Sequence, residues 1–60
     1  MKLIAKKHGY EIWAKFDANA NLYELFFDQE CETFTGWSVD SLQEALNASK
    51  HILDESINRA

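Results

Sequence analysis

The hydrophobic pattern of this chain changes period once, near Asp40. Before that point apolar and polar residues alternate, as they do in a half-buried strand. After it, apolar residues recur at the i, i+3, i+4 spacing of an amphipathic helix. A strand-period pattern will not settle as a helix, nor the reverse, so the chain is bound to a strand-rich block followed by a helix. There is no proline and no repeat to divide it. The expectation is a single α+β domain over residues 1–60: an antiparallel β-meander of three to four strands with one C-terminal helix on one face.

Residues 2–7 read as a short strand. Gly9 follows as a turn or bulge signal, because glycine accepts positive φ without a steric penalty. Over residues 10–16, Tyr10, Ile12, Ala14 and Phe16 alternate with Glu11, Trp13 and Lys15. Residues 17–21, rich in Asp and Asn, read as a hairpin loop. In the strand expected over 22–28, Tyr23, Leu25 and Phe27 make one face. Leu22, Glu24, Phe26 and Asp28 make the other. Residues 28–32 form a polar turn, and 33–38 have the β-branched and aromatic content of a further strand. Gly36 inside it marks a bulge or a close backbone approach.

The helix is expected from about 41 to 58. Asp40 or Ser41 caps it, and Ser41 with Glu44 has capping-box spacing. Leu42, Ala45, Leu46, Ser49, Leu53, Ser56 and Ile57 give its buried stripe. Its length, ~27 Å at 1.5 Å per residue, suffices to lie across one face of the sheet.

A domain of 60 residues buries only about 60% of the surface its unfolded chain exposes. Domains of this size usually draw extra stability from a staple, a metal or a partner. Cys31 is the only cysteine, so no disulfide forms within the chain. With His8 and His51 far from it in sequence, no zinc site is expected. Neither a signal-peptide pattern nor a membrane-span run is present, so a cytoplasmic location is the default expectation.

The chain carries 6 basic and 10 acidic residues, a formal net charge of −4. Its one basic cluster, Lys2, Lys6 and Lys7 beside His8, reads as a protected edge strand. The sum of charge disfavours nucleic acid, whose recognition rests on phosphate neutralisation, and favours a basic protein partner.

Little here carries chemistry. Asp28, Glu30 and Glu32 lack the spacing and the turn glycine of a calcium loop. Acidic neighbours disfavour the Cys31 thiolate that a nucleophile needs. His8 and His51 fall at polar positions. No phosphate loop, dinucleotide fingerprint or zinc-protease motif occurs. The expectation is therefore a protein without catalytic, cofactor or metal residues.

Its eight aromatics, two Trp, two Tyr and four Phe, all fall in the strand block, and alternation forbids them one common face. Tyr10 and Phe16 oppose Trp13, Phe27 opposes Phe26, and Phe34 opposes Trp37. With one helix covering one face, large apolar groups remain on the other, which marks a protein interface. Trp13, Tyr23, Phe26 and Trp37 are the expected partner-binding anchors. A homodimer that merely completes the core is the alternative, and a sheet that binds a small apolar molecule is a third.

Gly9-Tyr10, Cys31, Gly36 and the run Ser41-Leu42-Gln43-Glu44-Ala45-Leu46-Asn47-Ala48 fall in the order seen in the HicB antitoxin family, which this chain resembles over residues 9–57. That family's proline-containing loop is absent, Glu30 stands where its glycine would be, and the gap from Cys31 to Gly36 is longer. No DNA-binding helix-turn-helix or ribbon-helix-helix pattern occurs. The resemblance implies a partial ribonuclease-H-like β-β-β-α arrangement without nuclease carboxylates, dimerisation, and capture of a small basic toxin.

Overall fold

The structure is a computed structural model, and it describes residues 1–59. Four strands, β1 (Lys2–Lys7), β2 (Tyr10–Asp17), β3 (Leu22–Phe26) and β4 (Phe34–Val39), precede one helix, α1 (Leu42–Arg59). The strands form one antiparallel sheet in the order β1-β2-β3-β4, each paired with its neighbour in sequence. The expected meander with a packed C-terminal helix is thus the observed α+β architecture, with four strands.

Local chemistry explains each turn. Lys7 pairs with Tyr10, leaving His8 and Gly9 as a two-residue loop with φ of 52° and 84°. Positive φ at both central residues is what a type I′ hairpin requires, because that turn matches the twist of the strands. Asp17 closes the β2–β3 turn by accepting from the Asn19 N–H at 3.0 Å and the Ala20 N–H at 3.4 Å. Asn21 then takes the left-handed conformation, φ 56°, a place asparagine tolerates well.

Gly36 sits at φ 89° in a β4 bulge between the pairs Glu24–Ser38 and Phe26–Phe34. Within this bulge the Thr35 hydroxyl donates to the Leu25 carbonyl at 2.8 Å and accepts from the Trp37 N–H at 3.1 Å. The side chain thereby supplies hydrogen bonds that the interrupted ladder no longer provides. A second irregularity lies in β1 between Leu3 and Ala5.

α1 packs on one face and touches all four strands. The core between them holds Ile12, Ala14, Leu25, Ala45, Ala48, Ile52 and Leu53, with Tyr10, Tyr23, Phe27 and Val39 packed around it. Ile12 and Leu25 are 0% exposed; side chains of this kind contribute roughly 1.5–3 kcal/mol each on full burial. Ser49 is buried among them, and its hydroxyl donates to the Ala45 carbonyl at 2.7 Å. That bond removes the penalty of burying a lone hydroxyl. Ser41 is the N-cap, its Oγ accepting from the Glu44 N–H at 3.2 Å.

Two readings of the sequence need correction. Strand β3 ends at Phe26 rather than running to 28, because Phe27 already bonds across the following loop, its N–H donating to the Thr33 carbonyl at 2.9 Å. The helix is also rolled relative to its expected stripe. Ala48 and Ile52 are buried, whereas Leu42 and Leu46 are exposed. Small residues at 45, 48 and 49 let the helix approach the sheet closely; the leucines at 42 and 46 fall on its flank.

Candidate interaction surface

Register divides the side chains of the sheet between its faces. Ile12 and Ala14 point at the helix, so Trp13 between them points away. Three cross-strand pairs continue from it: Leu3 with Trp13, Trp13 with Phe26, and Phe26 with Phe34. Four apolar side chains thus form one row across all four strands, on the face that α1 does not cover. Phe26 and Phe34 are in ring contact, with centroids 5.4 Å apart. Directly opposed side chains of this kind are the contacting unit of a sheet.

The row is flanked by charge on both sides. On one side Lys6 pairs with Glu11, Nζ to Oε2 at 3.8 Å. Glu11 also accepts from the Trp13 indole N–H at 3.0 Å, which orients the ring. On the other side Lys15 lies opposite Glu24, and Glu24 opposite Ser38. Two lysines face two glutamates, so the charge along the row itself is balanced. The excess negative charge lies instead on exposed Glu30 and Glu32 of the β3–β4 loop and on Glu44, Asp54 and Glu55 of α1.

That loop reaches over the uncovered face. Its geometry is set by Asp28, whose carboxylate accepts from the Glu32 N–H at 3.1 Å and the Thr33 N–H at 2.9 Å. Cys31, at φ 58°, brings its sulfur within 3.5 Å of the Met1 sulfur at the start of β1. α1 occupies the other face, so this contact is made over the open one. The consequence is uneven cover. Phe26, in the middle of the row, is 9% exposed, whereas Leu3 and Phe34 at its ends are 41% and 47% exposed.

The four anchors expected from the sequence do not share one surface. Trp13 and Phe26 are neighbours in the open row. Tyr23 packs against the helix-side core, and Trp37 meets His51 of α1 edge-on, with ring centroids 5.8 Å apart. Leu3 and Phe34 complete the row, and neither stands out in sequence, since cross-strand register decides their role. A separate apolar cluster lies at the end of the sheet where the helix begins. There Phe16, 50% exposed, contacts Tyr23 at 5.1 Å between ring centroids.

The residues considered for chemistry are placed apart. Among the described residues no group of three or more His, Cys, Asp or Glu side chains gathers as a metal site would require. Asp28 spends its carboxylate on loop amides. His51 faces Glu55 one helical turn on, at 3.3 Å. A groove of about 350 Å³ between β1 and α1 is lined by Lys6, Lys7 and Lys50. The first two already have acidic neighbours, Lys7 Nζ lying 3.5 Å from Asp54 Oδ1, so the groove is not a free basic patch. No described helix is long and apolar enough to cross a membrane. No family model, no curated protein and no solved structure matches this chain.

Proposed function

We propose that this chain is a non-enzymatic protein–protein interaction module whose contact surface is the uncovered face of its sheet. The observation that carries the reading is the Leu3–Trp13–Phe26–Phe34 row. Aromatic side chains arranged this way supply the desolvated anchors on which association energy concentrates. The flanking lysines and glutamates form the polar rim that such surfaces have.

In the antitoxin-like form of this reading the partner is a small basic protein, inhibited by steric cover. The net charge of −4 supports it by steering a basic chain toward the domain. Its acid lies on the β3–β4 loop and the helix, beside the row rather than within it. The second reading, a homodimer that completes the core, is favoured by the balanced charge along the row itself.

The test is capture by the tagged protein from lysate of its source, compared with Phe34→Ala and Leu3→Ser, and read by intact mass spectrometry. A stoichiometric small basic protein that both variants lose, while their melting temperatures stay near that of the parent, supports the antitoxin-like form. Equal capture by parent and variants removes the open face as the contact surface.

A further inference from the structure

The apolar row is closed at its centre and open only at its ends. Phe26 is buried, whereas Leu3 and Phe34 are exposed. Those two ends together offer roughly 200 Å² of apolar surface, against the ~800 Å² that a stable interface takes from each partner. A partner seated on the ends alone would miss the aromatic anchors in the middle, on which association energy concentrates. Resting on the open face as the contact surface, we propose that residues 28–33 form a hinged strap that lifts as a unit from the folded sheet and uncovers Trp13 and Phe26 for a partner.

The bonding of the segment carries this inference. Its hydrogen bonds turn back on the segment itself. The Asp28 carbonyl accepts from the Cys31 N–H at 3.2 Å. The Asp28 carboxylate accepts from the Glu32 N–H at 3.1 Å and the Thr33 N–H at 2.9 Å. At the base, the Phe27 N–H donates to the Thr33 carbonyl at 2.9 Å. None of these bonds crosses to β1 or β2. Among the described residues, the strap's one polar contact with the start of β1 is the Cys31 thiol against the Met1 sulfur, at 3.5 Å. Thiol and thioether are a weak donor and a weak acceptor.

The strap is therefore stiff within and lightly held at its tip. Phe27 packs against the helix-side core and is paired to Thr33, so the base stays in place. The strap turns about the line from Asp28 to Thr33, and the bonds on or near that line survive the turn. Hinges of this kind are a few residues at the ends of elements. Segments with few apolar contacts open at lower free energy than the core they cover. A partner that packs on Trp13 and Phe26 binds the lifted form alone, and that difference in affinity is what shifts the population toward it. Without a partner, the lowered strap keeps the aromatic centre out of water.

Cys31 is the chain's only cysteine, so its thiol takes a wedge at a single place. The test uses Trp37→Phe, which leaves Trp13 as the only tryptophan, before and after reaction of Cys31 with N-cyclohexylmaleimide. The folded protein should take the label and keep its circular dichroism and its cooperative urea transition. Acrylamide should then quench Trp13 roughly twofold more strongly or better, as a covered ring becomes solvated. The labelling rate should stay flat in urea below the transition, because a local opening exposes little new surface. Cys31→Ser in the same background, treated with the same reagent, should keep the quenching of the unlabelled protein.

A labelled, folded protein in which Trp13 is quenched as before overturns the strap. So does a labelling rate that climbs with urea as steeply as global unfolding, since the segment then opens only with the core. A label that unfolds the chain counts equally against it. These measurements need no partner, so they fail separately from the contact surface. A strap that lifts while Phe34→Ala captures as the parent does removes the contact surface alone. A strap that stays shut while Phe34→Ala loses its captured protein removes the strap alone.

Discussion

The two faces of this sheet are built from the same strands and end in different states. On the helix face, Ile12, Ala14 and Leu25 are at most 3% exposed, sealed by α1. On the other, the row from Leu3 to Phe34 is closed only in its middle, by a short loop held together by one aspartate. Alternation supplies both faces with apolar groups, more of them on the helix side, where Tyr10, Ile12, Ala14, Phe16, Tyr23, Leu25 and Val39 lie, than on the other, where Leu3, Trp13, Phe26 and Phe34 run between charged flanks. The faces differ in cover as well. An eighteen-residue helix spans the sheet; the loop between β3 and β4 does not.

Breaking the helix side should hurt the fold most. Leu25→Ala removes a wholly buried side chain and should cost about 3 kcal/mol in urea denaturation. That is a large share of the roughly 3–9 kcal/mol expected for a chain of this length. A cost below about 1 kcal/mol would mean that the helix-side core is less closed than its burial implies.

Asp28→Ala probes the cover of the open side. It removes two charge-assisted hydrogen bonds at an exposed loop and should cost about 1.5 kcal/mol. Tryptophan fluorescence should shift to the red as Trp13 loses cover; an unchanged spectrum would show that the loop does not shield the row. Ser41→Ala sharpens the comparison from the helix end. Loss of the N-cap should cost about 1 kcal/mol in urea denaturation while leaving the tryptophan emission of the folded protein unchanged.

Phe34→Ala should cost the fold less than about 1 kcal/mol, because half of that side chain is already in water. It should nevertheless clearly lower the capture of a partner by the tagged protein. A change that destabilised the fold as much as Leu25→Ala would make the open row a second core instead of a surface. The smallest effect should be a gain: His8→Asn places the preferred residue at the first left-handed position of the type I′ turn and should raise stability by a few tenths of a kcal/mol. It lies in the hairpin rather than on either face, so thermal melting should register it and partner capture should not.

Much of the architecture is written locally. Period-2 alternation over Tyr10–Asp17, the Asp and Asn residues of the β2–β3 turn, the glycine at 36 and the Ser41 cap each act through their own or adjacent backbone. Those features can therefore be read without knowing what lies across the sheet. The division of Trp13 from Ile12 and Ala14, and of Phe26 from Leu25 and Phe27, is equally local, since successive side chains of a strand point to opposite sides.

Local patterning therefore sets the order of elements, the faces of each strand and the excess of aromatics that one helix cannot cover. Tertiary structure alone decided which of those aromatics stand together. Cross-strand register joined Leu3 and Phe34 to Trp13 and Phe26, and the position of α1 decided that the opposite face, with Tyr23 and Trp37, is the covered one. It also decided the roll of α1, which buries Ala48 and Ile52 and leaves Leu42 and Leu46 in water. The physical reason is the same in each case. Periodicity fixes the direction of a side chain relative to its own backbone, whereas burial depends on what the rest of the chain brings to that side.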